Sequence, residues 1–371
     1  MMKRNHAIDS VRGLLLLCMA INHYIWITGG WSVVQRLTLQ PFGQVGAAEG
    51  FIFISGLMVG LIYCRPSATQ VTRSLFTRVK QLYSYHVASL ILIIMLSFSL
   101  SYLWSIDPSF IHSMFPFLTR QPELATPLIL LMIHKPAYFD ILPMYIAFML
   151  LAPLVITLLY RGKVLLVVAI SLVMWLSSSW VDASVWAAQV APLTPINTGY
   201  FSWLAWQLPF VMGVCIGYSH HHLSIQWFKY KSALIVTAII ATFIFLTHHN
   251  VFAQAFGVHQ GTLYQLANKP TLGWLRVLNL AMLIYLISYV IHHKPHYLTF
   301  RPLALLGRHS LPVFAWHYVV IFTLAPLSRL FIQSATHYNL MLVAVALLLF
   351  IPPLIREKHL TIRRFTFNRS T

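Results

Sequence analysis

Arg12 and His23 lie together in the first apolar run of the chain, within IDSVRGLLLLCMAINH. Eleven residues make about three helical turns, so both side chains fall on one helical face about 16 Å apart. An ionisable side chain at membrane depth is costly and marks function before packing. Arg12, at the inner end, suits an anion. His23, deeper in, suits proton transfer near neutral pH. The competing readings are a snorkelling arginine and a core histidine bonded to a neighbour.

Glu49 follows in VGAAEGFIFISGL, at the outer end of the second apolar run. An acid among Ala48, Gly50 and Phe51 is expected to be paired. Its depth matches that of His23, so the two are read as base and orienter, the carboxylate holding the imidazole in one tautomer. The competing role is a carboxylate at a helix start. Asp140 opens the fourth run in FDILPMYI, and Trp206 and Gln207 open the sixth in AWQLPF. They are candidate substrate contacts, Gln207 as a hydrogen-bonder to a sugar. Helix-start and interface roles stand beside those. His317, mid-depth in VFAWHYVV, is a second catalytic or binding group, or a buried hydrogen-bonded residue. Between the runs, Arg73, Arg78, Lys80, Arg301 and Arg308 are candidate contacts for a phosphorylated donor, or topology signal alone.

Other chemistries find no pattern. Cys18, Cys64 and Cys215 are scattered, without CxxC spacing, and there is no HExxH, so neither a metal nor a bound cofactor is expected. His220, His221 and His222 are consecutive and fan out. There is no GxSxG elbow and no glycine-rich phosphate loop.

The elements that must position these residues are membrane helices. Apolar residues make up 58% of the 371 and charged residues 9%, against roughly a quarter charged in a soluble domain. Ten runs approach the roughly 17 to 25 residues that cross a bilayer as helix: 11–28, 46–63, 83–104, 139–160, 164–180, 201–218, 233–247, 272–291, 311–331 and 339–355. The first is read as an uncleaved span. The segment 126–134 is too short to cross and is read as re-entrant or interfacial. Pro153, Pro209, Pro312 and Pro326 predict kinks.

The formal charge of +18 is distributed as a topology signal, not as a nucleic-acid surface. With the N-terminus inside, 18 of the 25 basic residues, from Lys3 to Arg369, fall on the inner side. Five, among them Lys135, Lys269 and Arg329, fall outside. The longest outer loop carries Asp107 and Glu123. The expected fold is all-α: a single membrane-embedded domain, 1–371, of about ten transmembrane helices with both termini cytoplasmic.

IDSVRGLLLLCMAINH resembles the opening span of the acyltransferase-3 superfamily, whose signature is arginine, ten residues, histidine. AAEGFIFISGLMVGLIY, FDILPMYIAFMLLAPL, AWQLPFVMGVCIGY and LALLGRHSLPVFAWHY resemble the OpgC-type branch, in order and over nearly the whole chain. The resemblance implies an inner-membrane O-acyltransferase. Its donor would be a cytoplasmic acyl-CoA, succinyl-CoA for this branch, and its acceptor a periplasmic glucan, with membrane lipid around it. In that setting Arg276, near the outer end of the eighth run, is a candidate contact for a succinyl group. A proton-coupled transporter or flippase of a glycan or acidic metabolite is the alternative, with His23, Glu49 and Asp140 as relay. The sequence lacks the paired interrupted spans of many such transporters.

Overall fold

The computed structural model describes residues 4–65, 70–104, 109–181, 183–190, 196–253, 257, 260–328 and 334–367. Lys3, Asp107, Arg329, Arg369 and the last three residues of the expected ninth run lie outside these. Among the described residues every regular element is a helix.

The principal helices are α1 (His6–Thr28), α2 (Ala47–Tyr63), α3 (Val71–Trp104), α4 (Ile141–Tyr160), α5 (Val164–Ser177), α6 (Trp203–His222), α7 (Lys231–His248), α8 (Trp274–His293), α9 (Arg301–Arg308), α10 (Ser310–Ser328), α11 (Ala335–Leu348) and α12 (Ile351–Phe367). Among the described residues, seven stretches are long and apolar enough to cross a membrane: α1, the Val71–Ser97 part of α3, α4, α7, α8, α10, and Ala335–His359 across α11 and α12. The apolar helices α2 and α5 are shorter, at 17 and 14 residues. The 20-residue α6 ends in three histidines.

Two apolar runs differ most from the helices that hold them. Helix α3 begins at Val71, well before the apolar run starts at 83, because helix formation does not require apolarity. Arg73, Arg78 and Lys80 therefore sit in its first turns and not in a loop. The last run breaks at a turn between α11 and α12, just before Pro352 and Pro353. Proline lacks an N–H and fits best in a helix's first turn, where no intrahelical partner is needed.

The chain divides into two compact units. One comprises Met1–Leu39, Tyr85–Pro108 and Val290–Thr371; the other comprises Gln40–Ser84 and Ser109–Tyr289.

In the first unit, α1 packs on α9, α10 and α11. The Asn5 side chain caps α1 by accepting from the Ala7 and Ile8 amides, and Gly29 closes it at φ +69°. Helices α1 and α9 approach through glycine: a Cβ on Gly307 would stand 2.9 Å from the Gly13 nitrogen. Ser10 Oγ donates to the Phe300 carbonyl at 3.1 Å and accepts from its amide at 3.0 Å. Deeper in α1, Asn22 donates to the Cys18 and Thr38 carbonyls at 2.8 and 2.7 Å.

In the second unit, α2 and α6 pair through two small-residue steps, Gly56/Gly60 and Gly213/Gly217. A Cβ on Gly56 would lie 2.9 Å from the Phe210 Cα, and one on Gly217 2.6 Å from the Leu61 nitrogen. Small residues four apart let membrane helices approach at backbone distance. Overpacking such a contact costs about 1–3 kcal/mol. Gly217→Leu should therefore lower the thermal unfolding midpoint in detergent, whereas Gly162→Ala, whose Cβ meets nothing within 4 Å, should perturb only its own turn. Equal midpoints for Gly217→Leu and the parent would refute the close pairing. Helices α4 and α5 pack on the same α6. Helices α2, α5, α6 and α8 line an apolar cavity of about 340 Å³, with Phe53, Leu208, Met212 and Leu280 among its walls.

Candidate active site

Helix α1 carries Arg12 and His23 on one continuous element. Arg12 is half-buried at the Asp9 end, where Arg4 and Asp9 form an ion pair at 2.5 Å. His23 is half-buried, and its Nδ1 stands 3.3 Å from Nε2 of His317 on α10. The two rings are 5.5 Å apart, centre to centre. His317 is 2% exposed, contacts the Phe314 carbonyl through Nδ1, and lies 3.9 Å from the Tyr318 ring. Helix α10 is almost wholly buried on both sides of His317, so its ring has little freedom to leave this position.

Glu49 finds its partners inside the second unit. It is the third residue of α2, and its Oε2 accepts from the Gly46 amide at 3.2 Å, so it does cap the helix start. Its Oε1 accepts from Arg276 Nη1 at 2.8 Å. Both side chains are buried, at 0% and 2% exposure. Arg276 is held further by the Ala267 carbonyl at 2.9 Å and by the Gln44 carbonyl. Asn279, one turn along α8, accepts the Gln44 amide at 2.8 Å. The guanidinium thus sits in a cradle of one carboxylate and two carbonyls, the setting that a buried charge requires.

Asp140, Trp206 and Gln207 also fall into this second unit. Asp140 stands at the start of α4 and accepts the Tyr200 amide at 2.8 Å. Lys135 donates to the Thr198 carbonyl and lies over the Trp203 ring at 4.3 Å. Gly199, at φ +96°, passes close enough to both that a Cβ would lie 2.8 Å from the Lys135 Cδ and 2.9 Å from an Asp140 oxygen. Trp206 is fully buried, and its indole N–H bonds the Lys269 and Pro270 carbonyls at 3.2 Å. Gln207, read from the sequence as a sugar contact, is engaged with α5. It donates to the Ser171 carbonyl at 2.8 Å and accepts from the Ser171 hydroxyl at 2.7 Å. That exchange makes it a clamp between α5 and α6.

Burial lowers the Lys135 ammonium to about 8, with Asp140 opposing the shift. Burial raises the Asp140 carboxyl, opposed first by the Tyr200 amide and then by Lys135. Burial also lowers Lys269, which Glu49 opposes and Arg276 reinforces. Between about 8 and the ordinary 10.5, the unfolded chain holds a proton on Lys135 that the folded chain lacks. Stability should therefore rise with pH across that window. Lys135→Met should flatten the rise of the unfolding midpoint; an identical slope in both proteins would contradict it.

Of the basic residues expected to meet phosphate, Arg73 and Lys80 are exposed, and Arg78 bonds Gln81 at 3.2 Å. Arg301 is exposed. Arg308 pairs with Glu357 of α12 at 2.8 Å, and His309 shares that carboxylate at 3.1 Å.

The structure gives two cross-helix pairs, His23 with His317 and Glu49 with Arg276, where the sequence had read Glu49 as the orienter of His23. A signal existed for the second: two isolated opposite charges, both expected near the outer ends of apolar runs. For the first there was only the placement of both histidines within apolar runs.

No curated protein and no solved structure matches the chain. A family model described as OpgC protein matches residues 4–358, which takes in α1 through α11, the first half of α12 and every candidate site residue. The chain belongs to the OpgC protein family.

Proposed function

We propose that the chain is a multi-pass inner-membrane O-acyltransferase working as one membrane-embedded domain. It moves an acyl group, most simply succinyl, from a cytoplasmic acyl-CoA to a hydroxyl of a periplasmic glucan. OpgC membership carries the acyltransferase class. The observation that carries the site is an arginine and a histidine eleven residues apart on one uninterrupted buried helix. The proposed ten spans are the seven long apolar stretches together with α2, α5 and α6, with both termini cytoplasmic as the basic residues imply.

In this mechanism His23 removes the proton of the acceptor hydroxyl as that oxygen attacks the thioester carbonyl. The tetrahedral intermediate collapses with loss of the CoA thiolate, which takes the proton back from the His23 imidazolium. The candidate cations for the CoA phosphates are Arg12, Arg73, Arg78, Lys80, Arg301 and Arg308. Arg276, preset by Glu49, is the candidate for the free carboxylate of a succinyl group. Asp140 and Trp206 frame the loops over α4 and α6 as candidate acceptor contacts.

The test is purified protein in a bilayer, given labelled succinyl-CoA and a linear or cyclic glucan. Label covalently attached to sugar is the expected result. Uptake of glucan into the vesicle without modification would replace the enzyme with a transporter.

A further inference from the structure

We propose that His317 is a positioning residue that fixes the tautomer of His23 and so makes its Nε2 the basic nitrogen. The inference rests on the reading of His23 as general base and adds a second residue to it.

The argument follows from donor and acceptor identity. His317 Nδ1 meets the Phe314 carbonyl oxygen, and a carbonyl only accepts. Nδ1 of His317 therefore carries hydrogen. In the neutral ring the other nitrogen, Nε2, then holds a lone pair. That lone pair faces His23 Nδ1 at 3.3 Å. For a hydrogen bond to exist there, His23 Nδ1 must be the donor. Neutral His23 then has its own lone pair on Nε2. Carbonyl, ring and ring thus form an ordered chain in which each link assigns the next.

This chain does part of what an acid does in a triad. It selects one tautomer and holds the ring plane, but it brings no negative charge to stabilise the imidazolium. Structural context supports a rigid relay. His317 is 2% exposed, packed between the Phe314 and Tyr318 rings at 4.8 and 3.9 Å, on a helix buried along most of its length. Histidine in the other tautomer would present Nε2–H to a hydroxyl and could not accept its proton. Loss of tautomer control in a triad costs up to about 10⁴-fold.

The experiment uses the full-length protein in lipid with ¹⁵N-labelled histidine. It compares the parent with His317→Leu, His317→Gln and His23→Ala by nitrogen NMR, with succinyl transfer measured in parallel. A glutamine amide can donate to the Phe314 carbonyl and accept from His23 with one side chain. The His23 resonance, assigned by its loss in His23→Ala, should report Nδ1–H in the parent. It should redistribute toward Nε2–H in His317→Leu and return in His317→Gln. In parallel, kcat should fall about tenfold or more in His317→Leu with KM for both substrates unchanged, recover in His317→Gln, and show no further loss when His317→Leu is added to His23→Ala.

An unchanged His23 tautomer in a folded His317→Leu protein overturns the inference. If that protein loses its thermal transition, a folded His317→Gln protein with the Nε2–H tautomer overturns it equally. A tautomer that shifts while kcat does not would leave His317 as orienter and remove His23 as base, so failure of this inference and failure of the acyltransferase site are separable.

Discussion

His23→Ala is expected to lower succinyl transfer by about 10²–10⁴-fold, the contribution of a positioned general base, while the protein stays folded in the membrane. The structure separates these two effects. His23 is only half-buried on α1, between buried Asn22 and Tyr24, which anchor the helix to its neighbours. Asn22 bonds the Thr38 carbonyl, and Tyr24 stacks on Tyr338 with ring centres 5.9 Å apart. Removing the imidazole leaves these anchors in place. Thermal unfolding in detergent should therefore move little, and glucan mass spectrometry should show the loss. Near-normal glucan acylation in a folded His23→Ala protein would end its assignment as base.

The second large effect concerns stability. Glu49→Ala would leave the Arg276 charge in a site that is 2% exposed, with carbonyl oxygens but no counter-ion. Breaking one member of a buried ion pair costs about 3–5 kcal/mol, because the other is left uncompensated. Replacing both by apolar residues of similar volume is often neutral. Glu49→Leu combined with Arg276→Met should therefore regain most of the stability that Glu49→Ala loses. The measurement is the unfolding midpoint of all three proteins in the same detergent. A Glu49→Ala protein as stable as the parent would show that the pair does not hold α2 to α8. If the double variant is stable but inactive on succinyl-CoA, the pair also serves the acyl group, as proposed.

Much of the fold was legible in the sequence, and the reasons are specific. Among the described residues each expected apolar run is helical over most of its length, because a backbone in lipid must satisfy its own hydrogen bonds. Helix α3 shows the limit of that reading: apolarity reports membrane depth, whereas its first turns are polar and still helical. No expectation attached to the glycine steps in α2 and α6. Nothing in either sequence said that each was the other's partner, since a GxxxG face fits many small-residue faces.

The candidate site divides the same way. Arg12 and His23 share a helix, so their spacing is a local property that the helical repeat settles without any knowledge of the rest of the chain. Glu49 was read as the orienter of His23 from matched depth alone. The structure supplies a cation for Glu49 from 227 residues away and a ring for His23 from 294 residues away. By itself the sequence determined an all-helical membrane chain, its apolar stretches and the two ionisable groups on its first helix, because the bilayer imposes length, polarity and charge limits on each segment separately. Only the tertiary structure decided which buried group answers which, because that depends on which helical faces meet, and one helix's period carries no record of its neighbour's.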